Sequence, residues 1–339
     1  MQSIGQHAAW QRHHRRLCKK LSTFLSMAQF QPGDQSVQSQ SLLLCHLLLE
    51  HFSDLGGGAL QQGIEIGANG GTVEHISERN VLLSLLPHPE PQQSPPLPLF
   101  LAKEHSHELI QALSSRSVNN DWVIYSSSLH PIGHGVFPRA SRYFNHSCSP
   151  SAVQVYTFDE AGPIMHIKAL KNLSAGEEIT VTYIDPAHPY DVRKKALDST
   201  YGFECHCRKC QSDKELLPSI SVPPSSDAIV SLYPTLIRHV IPSLELTGTS
   251  EALPEVDPIL PPHLLTLLSP SHLPYLSEAF SKAAHSETPK EETHGLGLAL
   301  LAMYFVIYPP YYPLIGRSFA LSISHRFTCS LTPMRLALS

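Results

Sequence analysis

Three cysteines lie close together in the segment Tyr201–Cys210 (YGFECHCRKC), and a fourth, Cys148, precedes them by more than fifty residues. The Cys-x-Cys-x-x-Cys spacing brings three thiolates within reach of one ion, and tetrahedral zinc takes a fourth ligand. Cys148 is the natural donor, although His206 could compete. One ion would tie two distant parts of the chain together, which constrains the fold more than any other feature. The predicted zinc ligands are Cys148, Cys205, Cys207 and Cys210.

Other uses of the cysteines remain as alternatives. The chain has seven cysteines, an odd number, and its start shows no secretory signal, so we expect reduced thiols more than a disulfide framework. Three buried thiols that bind no metal are another alternative, which the close spacing of the three cysteines disfavours. An iron–sulfur cluster is a weaker rival to zinc, since the fourth cysteine is remote and no ferredoxin-like spacing is present.

The composition argues against some broad classes of protein. In 339 residues, 16% are charged and the formal net charge is −5, which is unfavourable for a protein that wraps nucleic acid. The most apolar early run, residues 42–49, is far shorter than the roughly 20 residues that cross a bilayer. Residues 1–33 carry five Lys or Arg and no acid. They predict a basic amphipathic helix, with a mitochondrial transit segment as the alternative.

The order of apolar patterns predicts an α+β fold. Apolar residues at helical spacing predict helices at 7–29, 39–54, 72–86, 100–113, 190–203, 228–240 and 263–323, the last interrupted at 308–313. Short runs rich in Val, Ile, Thr and Tyr predict strands at 121–125, 152–158, 164–170 and 178–183.

Three motifs in fixed order give the chain a family resemblance. NHSCSP (145–150), LSAGEEITVTYID (173–185) and YGFECHCRKC (201–210) resemble the SET domain of protein lysine methyltransferases. The Tyr-x-Phe-x-Cys before the cysteine motif is similar to the SET and MYND branch. The resemblance is specific over residues 117–211, and looser on both sides of that range.

The resemblance implies a SET-domain β-fold with a threaded pseudoknot. It also implies a helical N-terminal insert, a zinc-binding post-SET segment and a helical, tetratricopeptide-like C-terminal part. The corresponding divisions of the chain are residues 1–116, 117–198, 199–215 and 216–339.

The resemblance also implies a site for S-adenosylmethionine and a lysine channel. Asn145 and His146 match residues that hold the cofactor, and Asn120 matches a further contact. Phe203 matches the aromatic residue that packs on the adenine, with Tyr201 beside it. Tyr183 matches the tyrosine whose hydroxyl orients the amine, and Tyr201 matches a second channel tyrosine.

The chain departs from the family pattern in places. Ser151 stands where the family usually has asparagine, and its shorter side chain predicts a looser pseudoknot. The opening Gly-x-Gly segment and the MYND zinc module are not seen, which predicts an N-terminally shortened member.

The resemblance implies an S-adenosylmethionine-dependent enzyme that methylates lysine side chains of histone or non-histone proteins. A non-catalytic SET-like scaffold that binds protein partners is the first alternative. A small zinc-ribbon protein that binds nucleic acid is the second. We expect a protein substrate, a monomer, no membrane association, no sequence-specific nucleic-acid binding, and a location in the cytoplasm or nucleus.

Overall fold

The computed structural model describes residues 14–26, 35–52, 78–90, 93–159, 162–216, 226–241, 260–269, 271–285 and 291–316. The chain divides into two compact units. Unit one comprises residues 1–145, 154–167 and 198–203, and unit two comprises residues 146–153, 168–197 and 204–339. The four-part division suggested by the sequence remains a prediction.

Unit one begins with helices that bury a shared apolar core. Its first helices are α1 (Arg15–Leu25), α2 (Gln35–His51), α3 (Glu78–Ser84), α4 (Leu99–Glu104) and α5 (His107–Asn120). The fully buried leucines of this core are Leu44, Leu48, Leu82, Leu101 and Leu113. The predicted helical character of the first third is confirmed over these residues. The predicted helical stretches at 7–13, 27–29, 53–54 and 72–77 lie outside the described residues.

The prediction of one helix over residues 100–113 is wrong, because the chain breaks between α4 and α5. His105 has an extended backbone, and the Ser106 side chain accepts the N–H of Leu109 at 3.3 Å. Serine is a strong N-cap because its oxygen satisfies a donor at the start of a helix. Ser106 therefore begins a new helix inside the predicted range, within the polar stretch at residues 103–108.

A two-stranded antiparallel sheet follows α5. Strand β1 (Asp121–Tyr125) pairs with β2 (Pro131–Val136), and β1 buries Trp122 and Ile124 on one face. The prediction of β1 is confirmed. The sequence did not indicate β2, because its proline and two glycines are typical of turns.

The next elements along the chain belong partly to unit one and partly to unit two. These are α6 (Pro138–Tyr143), β3 (Asn145–His146), β4 (Ala152–Asp159), β5 (Gly162–Ala169), β6 (Thr180–Val181) and α7 (Tyr190–Tyr201). Strand β4 pairs with β5, and β3 pairs with β6. The strands predicted at 152–158 and 164–170 are confirmed. The strand predicted at 178–183 is only two residues long in the structure, because its partner β3 has only two residues.

The rest of unit two is helical. It contains α8 (Arg208–Leu216), α9 (Ser226–Val230), α10 (Tyr233–Val240), a 3-10 helix (Pro262–Leu268), α11 (His272–Ala284) and α12 (Glu291–Ile307). Helix α12 packs on α10 and α11, and the buried residues of this core include Leu236, Leu264 and Leu276. The predicted helices at 228–240 and in the tail are confirmed in part, while residues 317–323 lie outside the described residues. Helix α8 was not predicted.

The end of α12 is fixed to the segment that follows β6. The hydroxyl of the buried Tyr308 donates to Asp185 Oδ1 at 2.9 Å, and the Tyr308 and Tyr312 rings stack at 4.7 Å. This contact spans 123 residues of sequence and holds the chain two residues after Tyr183.

The described chain mixes helices with short strands, in agreement with the α+β class. None of the helices in the described ranges is both long and apolar enough to cross a membrane. The threaded pseudoknot stays a prediction.

Candidate metal centre and active site

The four predicted zinc ligands come together in unit two. The sulfur atoms of Cys148, Cys205, Cys207 and Cys210 all lie within 4.8 Å of one another. Zinc with sulfur ligands at about 2.3 Å requires sulfur atoms about 3.8 Å apart in a tetrahedron. Three of the four cysteines are buried and one is half-buried. The donor set therefore fits a closed, structural zinc site.

The electrostatics of the cluster also favour a bound cation. The thiol of Cys148 shares its proton with the sulfurs of the other three cysteines, which raises the pKa of Cys148. The same hydrogen bond from Cys148 lowers the pKa of Cys207 to about 5. Four thiolates held this close repel one another, so the pKa values of the cluster separate. A divalent cation removes this repulsion and allows every sulfur to bind it as a thiolate.

The competing ligand, His206, is not part of the cluster. Its side chain is exposed, and its backbone carbonyl accepts a hydrogen bond from Gln211 Nε2 at 3.0 Å. Cys148 is therefore the residue that completes the sulfur cluster.

A buried arginine lies beside the cysteines. Arg193 on α7 is 2% exposed and is the largest fully buried side chain in the described part of the protein. Its Nη2 donates to Asp213 Oδ2 at 2.6 Å and lies 3.9 Å from Cys210 Sγ. Its Nη1 donates to the backbone carbonyls of Pro186 and His188. Arg193 thus places a positive charge next to the thiolates and connects α7, α8 and the loop after β6.

Sequence reasoning missed Arg193 and Asp213. Arg193 is four residues before the fully buried Leu197, so both side chains lie on the buried face of α7. An arginine at an apolar position of a helix is unusual, because burying a charge requires a partner. That pattern is the signal that could have found it.

His146 lies between the cysteine cluster and Tyr183. Its Nε2 is 3.2 Å from Cys148 Sγ, and its Nδ1 accepts the backbone N–H of Tyr183 at 3.0 Å. The His146 and Tyr183 rings also pack together, with centroids 5.3 Å apart. Both ring nitrogens of His146 are therefore engaged within the protein.

Two serines connect the segment after β3 to the segment around β6. The backbone N–H of Ser147 donates to Val181 O at 2.9 Å. The Ser151 side chain accepts the N–H of Thr180 at 2.9 Å and donates to Glu178 O at 3.3 Å. The short Ser151 side chain is thus buried with its hydrogen bonds made.

Tyr183 is half-buried, and burial raises the pKa of its hydroxyl, with the nearby charge of Glu178 adding to the effect. The hydroxyl therefore stays protonated at neutral pH and can donate as well as accept a hydrogen bond.

The other predicted site residues, Asn120, Asn145, Tyr201 and Phe203, belong to unit one. The Asn120 side chain ends α5 and donates to Arg116 O at 2.8 Å and Leu86 O at 3.2 Å. The exposed Asn145 begins β3.

Two half-buried aromatic rings lie at the end of α7 and just after it. The rings of Tyr201 and Phe203 lie 6.3 Å apart at 54°. Gly202 stands between them with a φ of 73°, and its N–H donates to Asp198 O at 3.0 Å. This left-handed conformation ends a helix at low cost only with glycine. Gly202 therefore sets the direction in which the chain leaves α7 toward Phe203.

Part of this chain is similar to known proteins. A family model described as the SET domain matches residues 27–184. The chain is 42% identical over 89 residues to a histone-lysine N-methyltransferase ASHR1 of Arabidopsis thaliana, which covers 26% of this chain and 18% of the relative. It is 33% identical over 115 residues to an N-lysine methyltransferase SMYD2 of Gallus gallus, which covers 32% of this chain and 25% of the relative. It is 33% identical over 111 residues to a histone-lysine N-methyltransferase SMYD3 of Mus musculus, which covers 32% of this chain and 24% of the relative.

Residues 27–184, just under half of the chain, therefore match a SET domain. Two of the relatives carry the names SMYD2 and SMYD3, and the similarity to each covers about a third of this chain. The family match begins at residue 27, well before the motifs that carry the resemblance in the sequence. The matched regions span at most about a quarter of the length of these relatives.

Proposed function

We propose that this protein transfers methyl groups from S-adenosylmethionine to lysine side chains of other proteins. The observation that carries the proposal is the position of Tyr183. It lies at the end of the SET-domain match, half-buried, with its backbone N–H held by the histidine of the NHSC motif.

The chemistry gives Tyr183 its role. A lysine amine has a pKa of about 10.4 in water and must be neutral to attack a methyl group. The protonated Tyr183 hydroxyl accepts an N–H of the incoming amine and holds it in line for transfer. Correct alignment of two reactants supplies much of the rate in such a displacement.

S-adenosylmethionine, when bound, supplies a methyl group already activated by its sulfonium. Asn120, Asn145 and His146 would hold its polar groups, and Phe203 with Tyr201 would pack on its adenine. The tilted, half-buried pair of aromatic rings suits a flat heterocycle. Because both ring nitrogens of His146 are engaged, we assign its cofactor contact to its backbone.

Zinc, bound by Cys148, Cys205, Cys207 and Cys210, has a structural role in this proposal. Four thiolate ligands leave no open position for substrate. The ion instead fixes the start of α8 and the segment that follows Phe203. The zinc site thereby keeps the aromatic residues at the end of α7 in place.

The substrate is a protein, histone or non-histone, that presents an accessible lysine. The relatives include both a histone-lysine methyltransferase and an N-lysine methyltransferase. We expect the protein to act as a monomer in the cytoplasm or nucleus, without direct sequence-specific binding to nucleic acid.

Substitution of Tyr183 by Phe tests the proposal. The variant keeps the ring and removes only the hydroxyl. We expect the turnover number to fall at least about tenfold, equivalent to about 1.4 kcal/mol in the transition state, with cofactor affinity nearly unchanged. The assay measures radiolabelled methyl transfer from S-adenosylmethionine to lysine peptides and protein extracts, using the chain loaded with zinc.

Tyr143→Phe is the matched control, because Tyr143 is 64% exposed and outside the proposed site. Its turnover should equal that of the wild type. A wild-type protein that transfers no methyl group above a no-protein control would favour the scaffold alternative. Full activity in Tyr183→Phe would remove Tyr183 from the mechanism and direct the test to Tyr201.

A further inference from the structure

We infer that His146 is a positioning residue that joins the zinc-binding cysteines to the backbone of Tyr183. Its Nε2 is 3.2 Å from Cys148 Sγ, and its Nδ1 is 3.0 Å from the Tyr183 backbone nitrogen. The inference rests on the zinc site and the role of Tyr183 proposed above. It goes beyond them by giving the imidazole a mechanical role between the two.

The sequence places His146 where it can serve both groups. His146 ends the two-residue strand β3, and Cys148 follows two positions later. Side chains at i and i+2 of an extended chain point to the same side. Strand β3 also pairs with β6, and Tyr183 follows β6 by two residues. The pairing therefore brings the Tyr183 amide to the other nitrogen of the same ring.

The two contacts determine the tautomer of His146. A backbone N–H can only donate, so Nδ1 must carry a lone pair to accept from Tyr183. In the neutral ring the proton is then on Nε2, where it points at Cys148 Sγ. A thiolate is an acceptor, and a metal-bound thiolate still accepts such a hydrogen bond. The ring is thus a donor to the zinc ligand and an acceptor for the tyrosine.

The two hydrogen bonds of His146 hold Cys148 and the Tyr183 backbone to the same ring. Hydrogen bonds from outside the ligand shell orient a metal ligand and slow its dissociation. The acceptor at Nδ1 fixes the amide of Tyr183, and the packed rings restrict its side chain. A small displacement of an aligned group is costly for catalysis. His146 therefore transmits the rigidity of the metal site to the residue that would orient the substrate amine.

Two substitutions of His146 each remove one of its two hydrogen bonds and keep the other. His146→Asn places an amide oxygen near the Nδ1 position, so it keeps the acceptor for Tyr183 and loses the donor to Cys148. His146→Gln places an amide N–H near the Nε2 position, so it keeps the donor and loses the acceptor. His146→Asn should therefore weaken the metal site, and His146→Gln should release the Tyr183 amide.

The experiment uses the full chain loaded with zinc and measures two properties without any methyl transfer. The first is the rate of zinc release to a coloured chelator. The second is the hydrogen-exchange protection of the Tyr183 amide. We expect His146→Asn to release zinc about tenfold faster or more, with Tyr183 protection retained. We expect His146→Gln to lose about tenfold or more of the Tyr183 protection, with zinc release close to wild type.

His166 provides the control, because it is exposed and hydrogen-bonded to Thr157 on a neighbouring strand. His166→Asn and His166→Gln should change neither property. If both His146 variants lose both properties to the same extent, or if neither changes, the inference is wrong. If the wild type holds zinc and His146→Asn releases it at the wild-type rate, only this inference is contradicted. Wild-type protein that holds no zinc contradicts the proposed metal site as well.

Discussion

Cys45 and Cys207 show how differently the two parts of this protein are stabilised. Cys45 is completely buried among leucines of the α2 core, and burial raises the pKa of its thiol to about 12. Cys207 lies among three other cysteines, where the hydrogen bond from Cys148 lowers its pKa to about 5. The first cysteine behaves as a small apolar side chain, and the second is prepared to bind a cation.

The same contrast extends to the surroundings of each cysteine. The helical core of unit one consists of aliphatic side chains that need no partner beyond one another. The cysteine region of unit two has a buried arginine, a carboxylate and four thiols within a short stretch of chain. Buried polar groups stabilise a fold only when every partner is present. We therefore expect the first region to be insensitive to metal and the second to depend on it.

Removal of zinc should produce the largest difference between the two regions. After incubation with a strong chelator, hydrogen exchange should accelerate through residues 146–151 and 204–216, because structural zinc contributes folding free energy directly. The protection of α2 and α5 should remain. Loss of protection in all of these segments at the same rate would contradict a metal-dependent region separate from the helical core. Re-addition of zinc should restore the original pattern.

Substitution of the buried arginine should give the next largest effect. Arg193→Met keeps much of the volume, removes the donor to the backbone carbonyls, and leaves Asp213 with its longer ion pair to Lys209 at 3.4 Å. We expect a loss of about 3 kcal/mol in the free energy of unfolding, and faster zinc release to a chelator. Lys195→Met, at an exposed position on the same helix, should change neither quantity. An Arg193→Met variant as stable as the wild type would mean that the charge beside the thiolates is dispensable.

A cavity in the helical core should cost a comparable amount of stability, without affecting the metal. Leu48→Ala removes a completely buried side chain of α2, and such changes cost about 2–5 kcal/mol. Chemical denaturation followed by circular dichroism measures the loss, and zinc content should stay at the wild-type level. Leu99→Ala, at a position that is 70% exposed, is the control. Loss of zinc in Leu48→Ala would show that the two regions are not independent.

Much of the metal site could be predicted from the sequence. Zinc chemistry limits which cysteines can come together, so Cys148 could be paired with a motif more than fifty residues away. Strand β1 could be predicted because Trp122 and Ile124 alternate with less buried residues.

Other features depend on contacts that no local pattern reveals. The break at Ser106 depends on one capping hydrogen bond inside the range predicted as a single helix. The short β6 follows from the length of its partner, and the contact of Tyr308 with Asp185 joins residues 123 positions apart. The roles of Arg193 and His146 depend on the direction of individual side-chain atoms. Spacing alone does not determine those directions.

The most direct test is the zinc content of the purified chain, measured by native mass spectrometry and by elemental analysis. We expect one zinc ion per chain in the wild type. We expect none after the double substitution Cys148→Ser with Cys207→Ser, because only two thiolates remain. Cys45→Ser, outside the cluster, should keep its zinc. A wild type without zinc, or a double variant that keeps a full equivalent, would contradict the four-cysteine site.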